Sequence, residues 1–285
     1  GPLTSPVVKK SEGDIYYLDH MSQADLRKKY KNEPVDLDKI VPVDYVLKSS
    51  LKDTVGKKKF DYVIASHVIE HIPDTVSWLH DVSSILNPGG ILSLVIPDKR
   101  FTFDIERNVS QPTEVISSYI DKLEKPTSSM MYDFASLYAE NIDAVSVWRD
   151  ADYYLKLPPK HRWSHEQAVQ MCLENTKPGE YIDCHCYVYT PASFIEILRK
   201  LTKDDLIDFE LCSFMETQEN EIEFYVSLKK IGRKSTKSNR LRKLPEIEDM
   251  TKLHHLEERL DSLAYESYMF EKEIEAIRDS VSWRV

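Results

Sequence analysis

One continuous stretch, residues 60–98, limits the possible folds more than any other part of the chain. Two apolar runs of strand length, "FDYVIAS" (60–66) and "ILSLVIP" (91–97), flank a segment in which apolar residues recur at helical spacing after Asp74. The sequence Asn-Pro-Gly-Gly at 87–90 ends that helix. A strand, a helix and a second strand in this order predict a βαβ crossover with two parallel strands. We therefore predict an α/β fold built on a doubly wound, mostly parallel sheet.

Weaker patterns on either side extend the same sheet. "DIYYLDH" (14–20) and "KIVPVDYVL" (39–47) predict two more strands, with a helix that starts after Ser22 between them. "FIEILRKL" (194–201) predicts a late helix, and "DFELCSFME" with "EIEFYVSLKK" (221–230) predicts an antiparallel strand pair. Residues 105–180 are mostly helical in pattern and rich in aromatic residues, so we predict an insertion that covers the substrate. The α/β core is then expected at 1–104 and 181–230.

Charge and cysteine content exclude several classes of protein. A net charge of −10 argues against nucleic-acid binding, which needs a positive surface. The four cysteines form neither a disulfide framework nor a paired zinc motif, which indicates reduced thiols and a cytoplasmic protein. No apolar run reaches the ~20 residues of a transmembrane helix. We expect no metal site, because the ligand-type residues of "DCHC" (183–186) would alternate between the two faces of a strand.

The C-terminal part of the chain has a different pattern. Residues 231–245 are strongly basic and predict a linker, with attraction to anionic lipid at the inner membrane as an alternative role. In residues 246–285, apolar side chains recur in alternating steps of three and four from Leu253 to Val281, which is typical of a coiled coil. This spacing predicts self-association or pairing with a partner helix. A lone amphipathic helix that docks on the core is the alternative.

Polar residues end three of the predicted strands. Asp19 closes the first strand and Asp98 closes the fourth. Ser66 and His67 close the strand between residues 60 and 66. Ligands of open α/β sheets bind beyond the carboxyl ends of the strands, so we expect these groups to face one crevice.

The order of these segments resembles a known family. "YYLDH", "FDYVIASHVIEHI", "LNPGG" and "LSLVIPD" are similar to successive motifs of class I S-adenosylmethionine-dependent methyltransferases, and "CYVYTPASFIEILRKL" resembles that family's late helix. The resemblance covers most of residues 1–230, with 105–180 outside the common core. It implies a Rossmann-like fold and S-adenosyl-L-methionine as cofactor. It also implies that the family's first strand and most of its glycine-rich loop would precede residue 1.

The resemblance assigns cofactor contacts by position. They are Gly1 near the methionine end, Asp19 at the ribose hydroxyls, Ser49 and Ser50 near the adenine, and Ser66 with His67 on the methyl-donor side.

Methyl transfer to a hydroxyl benefits from a general base that titrates near neutral pH, as histidine does. The candidates for this base are His67 and His185, and we interpret His71 as structural. Asp98 and Arg100 are candidates for binding the substrate. The aromatic residues of the 105–180 segment would stack on sugar rings or pack a helical core; the sequence leaves both open.

A second resemblance concerns the acceptor. The predicted coiled coil that ends in "DSVSWRV" resembles helical segments of bacterial multidomain proteins that build surface polysaccharides, next to glycosyltransferase modules. "IPDKRFTFD" (96–104) resembles a motif of methyltransferases encoded with such systems. This implies O-methylation of a sugar in a surface polysaccharide or its glycan-lipid precursor, with a glycosyltransferase as a partner. Two alternatives stay open. One is a degenerate methyltransferase fold that oligomerises as a scaffold for polysaccharide assembly, and the other is a methyltransferase for a small metabolite or a protein.

Overall fold

The computed structural model describes residues 3–150, 153–156, 160–232 and 235–247. The chain divides into two compact units, Gly1–Pro245 and Glu246–Val285. Gly1 and residues 248–285, which hold nearly all of the predicted coiled coil, lie outside the described residues. Both predictions therefore stay predictions, and the following description concerns the first unit.

Strands and short helices alternate in the first third of the chain and again near its end. The strands are β1 (Leu18–Asp19), β2 (Tyr45–Val46), β3 (Phe60–Ser66), β4 (Leu86–Pro97), β5 (Phe209–Met215) and β6 (Glu223–Lys230). The helices are α1 (Gln23–Lys29), α2 (Leu51–Val55), α3 (Thr75–Ile85), α4 (Pro112–Asp121), α5 (Ser128–Ser136), α6 (Ala144–Arg149), α7 (Tyr153–Lys156), α8 (His165–Thr176), α9 (Pro191–Lys203) and α10 (Lys237–Arg242).

The larger sheet has four strands in the order β3-β4-β6-β5. β3 and β4 are parallel, with Ala65 opposite Leu94, whereas β4 and β6 are antiparallel, with Leu94 opposite Val226. On its other side, β3 pairs with no strand of the described residues, and β1 and β2 form a separate parallel pair.

The predicted α/β class is confirmed, but the sheet is mixed and not mostly parallel. β5 and β6 pair antiparallel because a short connection joins them as a hairpin, and parallel strands need a longer crossover. This hairpin also places β6 against β4 in the opposite direction.

The crossover predicted at residues 60–98 is present. β3 has the predicted bounds, and the Asp74 carboxylate accepts a hydrogen bond from the Ser77 backbone N–H at the start of α3. The apolar face of α3, with Val76, Leu79 and Val82, is buried. α3 ends at Ile85 and β4 begins at Leu86, before the predicted residue 91. The prediction that residues 87–90 end the helix is therefore wrong, because these residues already lie in the strand.

The earlier strands are shorter than predicted. β1 and β2 contain two residues each, because much of the chain around them forms turns and short 3₁₀ segments. Ser22 caps α1 as predicted, with its hydroxyl accepting from the Asp25 N–H. The late helix α9 contains the predicted residues 194–201.

Two segments outside the sheet have structure of their own. Residues 105–180 contain helices α4 to α8. The segment at 231–245, which we predicted to be a linker, contains α10, and this helix packs against α9. There the Arg240 side chain is buried, and its guanidinium donates to the Ile207 carbonyl. An arginine with an apolar stem and a carbonyl partner can be buried, so the basic composition alone was misleading.

Within the described ranges, no helix combines the length and the apolar character needed to cross a membrane.

Candidate active site

Asp19 and Ser66 stand at the carboxyl ends of β1 and β3. The Asp19 side chain is buried, and its Oδ1 accepts a hydrogen bond from the Met21 N–H at 3.0 Å and lies 2.9 Å from His20 Nδ1. Ser66 is half-buried opposite Val95 of β4. Both residues therefore lie at the carboxyl ends of strands, which is where open α/β sheets bind their ligands. Their predicted contacts with the cofactor stay predictions.

Ser49 and Ser50 form the start of α2. The hydroxyls of the two serines donate to Oδ2 of Asp53 at 2.7 and 2.8 Å, and these hydrogen bonds lower the pKa of Asp53. The Ser50 hydroxyl also accepts from the Asp53 N–H as the helix cap. The two serines thus have a structural role here in addition to the predicted place near the adenine.

His67 follows β3 in a left-handed backbone conformation, with φ of 51°. Residues other than glycine adopt this conformation rarely, and often at functional sites. Its Nε2 lies 3.0 Å from Glu223 Oε1, and its Nδ1 lies 3.6 Å from Glu70 Oε1. The hydrogen bond to Glu223 raises the pKa of His67 and so favours the protonated ring.

Glu70 links the end of β3 to a distant segment. Its side chain is fully buried, and within the described residues neither carboxylate oxygen has a hydrogen-bond partner. Burial raises the pKa of Glu70, and the neighbouring histidines reduce this effect. Its backbone carbonyl accepts from the N–H groups of Cys186 and Tyr187 at 2.7 and 3.1 Å. These two bonds bring residues 183–187 to the strand end.

His71 and His185 face each other at this junction, and each is held by a carboxylate. His71 Nδ1 lies 2.9 Å from Asp183 Oδ1, and His185 Nδ1 lies 2.6 Å from Asp104 Oδ2. The two rings meet edge to face with centroids 4.7 Å apart. Burial lowers the pKa of His71, but the hydrogen bond and charge of Asp183 outweigh this effect and the net shift is upward.

The carboxylate of Asp104 is buried between the Arg107 guanidinium and the His185 ring. Its carboxylate accepts from Arg107 Nη1 at 2.9 Å as well as contacting His185. Burial raises the pKa of Asp104, but the hydrogen bonds and charges of these partners outweigh it, so the pKa is lowered overall. Asp104 is thus an anion at neutral pH and fixes the orientation of the His185 ring.

An aromatic cavity of about 290 Å³ opens beside the two histidines. Its aromatic lining residues are Phe103, Phe134, Tyr138 and Trp163. Phe103 and Tyr138 stack with centroids 4.1 Å apart, and the Arg162 guanidinium lies 4.9 Å from the Trp163 ring centroid. The cavity approaches the size of a small-molecule site, with charged and polar groups at one end.

Asp98 and Arg100, the predicted substrate-binding pair, bind each other. Arg100 donates to Asp98 from Nε at 3.0 Å and from Nη2 at 2.6 Å, and the Thr217 hydroxyl donates to Asp98 Oδ2 at 2.7 Å. The Asp98 side chain is fully buried. A direct contact with substrate is therefore open to Arg100, whereas Asp98 is placed to orient Arg100.

Sequence reasoning proposed His67 and His185, and their roles stay predictions. It did not single out the carboxylates of Glu70, Asp104 and Glu223, and it considered Asp183 only as a ligand-type residue of "DCHC". The signal for Glu70 was its position beside His71 in "VIEHI". The other pairs join residues far apart in the chain, by 112 positions for His71 and Asp183 and by 81 for His185 and Asp104. No local pattern reveals contacts of this kind.

Residues 1–92 match the family model described as a methyltransferase domain. The matched part contains β1, β2, β3, α3 and the first half of β4, with Asp19, Ser66 and His67. A comparison with curated proteins gives no match. The match supports a methyltransferase, and together with the mixed α/β architecture it fits a Rossmann-like fold.

Proposed function

We propose that the protein is an S-adenosylmethionine-dependent methyltransferase that methylates a sugar hydroxyl of a bacterial surface polysaccharide or its precursor. The observation that carries the proposal is that the strand end at His67 and the aromatic cavity at His71 lie next to each other. His67, in the matched methyltransferase segment, contacts Glu70, whose Oε1 lies 4.0 Å from Nε2 of His71 at the aromatic cavity. A donor at the strand ends and an acceptor in the cavity would therefore be neighbours.

The residues at the strand ends fit the cofactor. A buried carboxylate at the end of β1, that of Asp19, suits the two ribose hydroxyls, which are hydrogen-bond donors. Ser66 and His67 follow on the next strand of the matched segment. The cofactor, when bound, supplies a methyl group on a sulfonium.

The cavity fits a sugar better than a long or strongly charged acceptor. Flat aromatic faces such as those of Phe103 and Tyr138 pack against the apolar face of a sugar ring, and the histidines and Arg162 offer polar contacts to hydroxyls. Positioning the acceptor oxygen in line with the methyl group supplies much of the rate. The proton that the hydroxyl loses passes to a base, for which His67 and His185 are the candidates.

Calorimetry with S-adenosylmethionine tests the cofactor part of the proposal. We expect binding by the wild-type chain and a loss of affinity of about tenfold or more in Asp19→Asn, because a ribose partner loses its charge. Asp14→Asn is the matched control, since Asp14 is exposed on the same segment. Absence of binding, or wild-type affinity in Asp19→Asn, would contradict the proposal.

Transfer of a labelled methyl group tests the acceptor. Free sugars, nucleotide sugars, lipid-linked glycans, proteins and small metabolites are offered in parallel, and we expect label in the glycan fractions. In Trp163→Ala the KM for the glycan should rise while the affinity for S-adenosylmethionine stays constant, and Tyr62→Ala, at an exposed position of β3, should change neither. Label only in proteins or small metabolites would refute the glycan assignment.

A further inference from the structure

We propose that Glu70, His71 and His185 form a binding site for a divalent transition-metal ion. One candidate ligand atom from each of these residues lies within 4.8 Å of the others. The three come from two segments, which the Glu70 carbonyl joins through its bonds to the N–H groups of Cys186 and Tyr187. The backbone thus holds the three side chains at one place.

The first argument is the unsatisfied carboxylate of Glu70. Its side chain is fully buried, and within the described residues both of its oxygens lack a hydrogen-bond partner. The nearest histidine nitrogens are 3.6 Å away on His67 and 4.0 Å away on His71, beyond hydrogen-bond distance. Burying a carboxylate without partners is costly, and a bound cation removes that cost.

The second argument is the way in which the two histidines are held. Asp183 binds Nδ1 of His71, and Asp104 binds Nδ1 of His185, so Nε2 of each ring remains for an ion. A histidine that binds a metal through one ring nitrogen typically donates a hydrogen bond from its other nitrogen to a carboxylate, which fixes the orientation of the ring. The arrangement occurs twice at one site here, on the two rings that face each other.

The charges around the site also favour a cation. Four carboxylates, those of Glu70, Asp104, Asp183 and Glu223, contact the histidines, and Arg107 is bonded to one of them. Carboxylates therefore outnumber the one arginine at this place, and a cation is attracted there more than an anion.

The ligand set selects the kind of ion. Two imidazoles and one carboxylate suit Zn²⁺, Mn²⁺, Fe²⁺, Co²⁺ or Ni²⁺ better than Mg²⁺ or Ca²⁺, which prefer oxygen ligands. Three protein ligands leave further positions open, as in catalytic zinc sites. His71 and His185 line the aromatic cavity, so the open coordination positions of the ion would face that cavity. A small oxygen-containing ligand bound there would complete the coordination.

The metal site has a consequence for methyl transfer, and that consequence rests on the proposed function. An ion held by Glu70, His71 and His185 would act as a Lewis acid and would lower the pKa of a hydroxyl that binds it. His185 then serves as a metal ligand and not as the general base, and His67 is the remaining candidate to receive the proton.

Metal binding is measured directly, without cofactor or acceptor. The chelator-treated full chain is titrated with Co²⁺ and with Zn²⁺, followed by visible absorption and calorimetry. We expect one ion per chain, an absorption band typical of nitrogen and oxygen ligands, and displacement of Co²⁺ by Zn²⁺. Absence of stoichiometric binding of both ions in the folded wild-type chain would overturn the proposal.

Substitutions separate this site from adventitious binding. Glu70→Gln and His185→Gln should weaken Co²⁺ binding about 100-fold or more, and Asp104→Asn should weaken it about tenfold or more through the orientation of His185. His161→Gln is the matched control, because His161 also binds a carboxylate, that of Glu106, at 2.6 Å. Wild-type affinity in Glu70→Gln, with its fold verified by circular dichroism, would overturn the proposal.

These outcomes are distinct from those of the proposed function. Metal binding with no methyl transfer to any acceptor would refute only the function. Transfer by a chain that binds no metal would refute only the site.

Discussion

The substitution Lys99→Met tests how burial sets the charge of a lysine beside the candidate site. Lys99 follows β4, and its amine donates to the Ile105 carbonyl at 2.7 Å. Burial lowers the pKa of Lys99 to about 8, although the carboxylates of Asp104 and Asp98 partly offset the effect. In the unfolded chain, the pKa returns to the ordinary value of 10.5.

The size and sign of the effect follow from these two pKa values. Between pH 8 and pH 10.5 the unfolded chain binds a proton at Lys99 that the folded chain does not bind. The free energy of unfolding therefore rises with pH in this window. One pKa unit corresponds to about 1.36 kcal/mol, so Lys99 adds about 2.5 kcal/mol between pH 7 and pH 10.

The assay is urea unfolding followed by tryptophan fluorescence at pH 7, 8, 9 and 10. Other groups titrate in the same range, so the quantity to compare is the difference between wild type and Lys99→Met at each pH. We expect this difference to increase by about 2.5 kcal/mol in favour of wild type from pH 7 to pH 10. Lys203→Met, at an exposed lysine, is the control and should give a constant difference. A constant or falling difference for Lys99→Met would refute the reasoning.

Four further substitutions, one of them a control, test core packing and a buried hydrogen bond by urea unfolding. Leu94→Ala, in the middle of the sheet and 1% exposed, should cost about 2–5 kcal/mol, and a cost below about 1 kcal/mol would contradict its burial. Gly90→Ala places a Cβ 3.0 Å from a backbone oxygen and should cost about 1–3 kcal/mol, whereas Gly232→Ala meets no atom of the described residues within 4 Å and should be nearly neutral. Equal effects of the two glycine substitutions would disprove this contact. Thr217→Val removes a buried donor to Asp98 and should cost about 1–3 kcal/mol, so an unchanged stability would show that the hydrogen bond contributes nothing.

The parts of the fold that the sequence predicted are those with strong local patterns. β3 and the start of α3 at Asp74 were predictable because a continuous apolar run and a capping residue depend only on neighbouring positions. The hairpin of β5 and β6 was predictable for the same reason. The short strands β1 and β2 were overestimated, since apolar residues there fill turns that the sequence alone does not distinguish from strands.

The candidate site shows the limit of such reasoning. His67 was proposed because it follows a strand end, and His185 was proposed through the family resemblance; both roles stay predictions. The importance of Glu70 lies in its burial and missing partners, which depend on the whole fold. The roles of Asp104 and Asp183 likewise require the distance between residues separated by 81 and 112 positions.

The unpaired side of β3 affects how the protein behaves in concentrated solution. Tyr62 and Ile64, on this strand, are 61% and 42% exposed, beside backbone groups that pair with no strand of the described residues. An apolar strand edge of this kind is a template for pairing with another chain, and neither lysine nor proline interrupts it between residues 60 and 66. Asp61 is the one charged residue in this stretch, so repulsion between copies at this edge rests on a single carboxylate, and self-association of the protein is expected to begin here as its concentration rises.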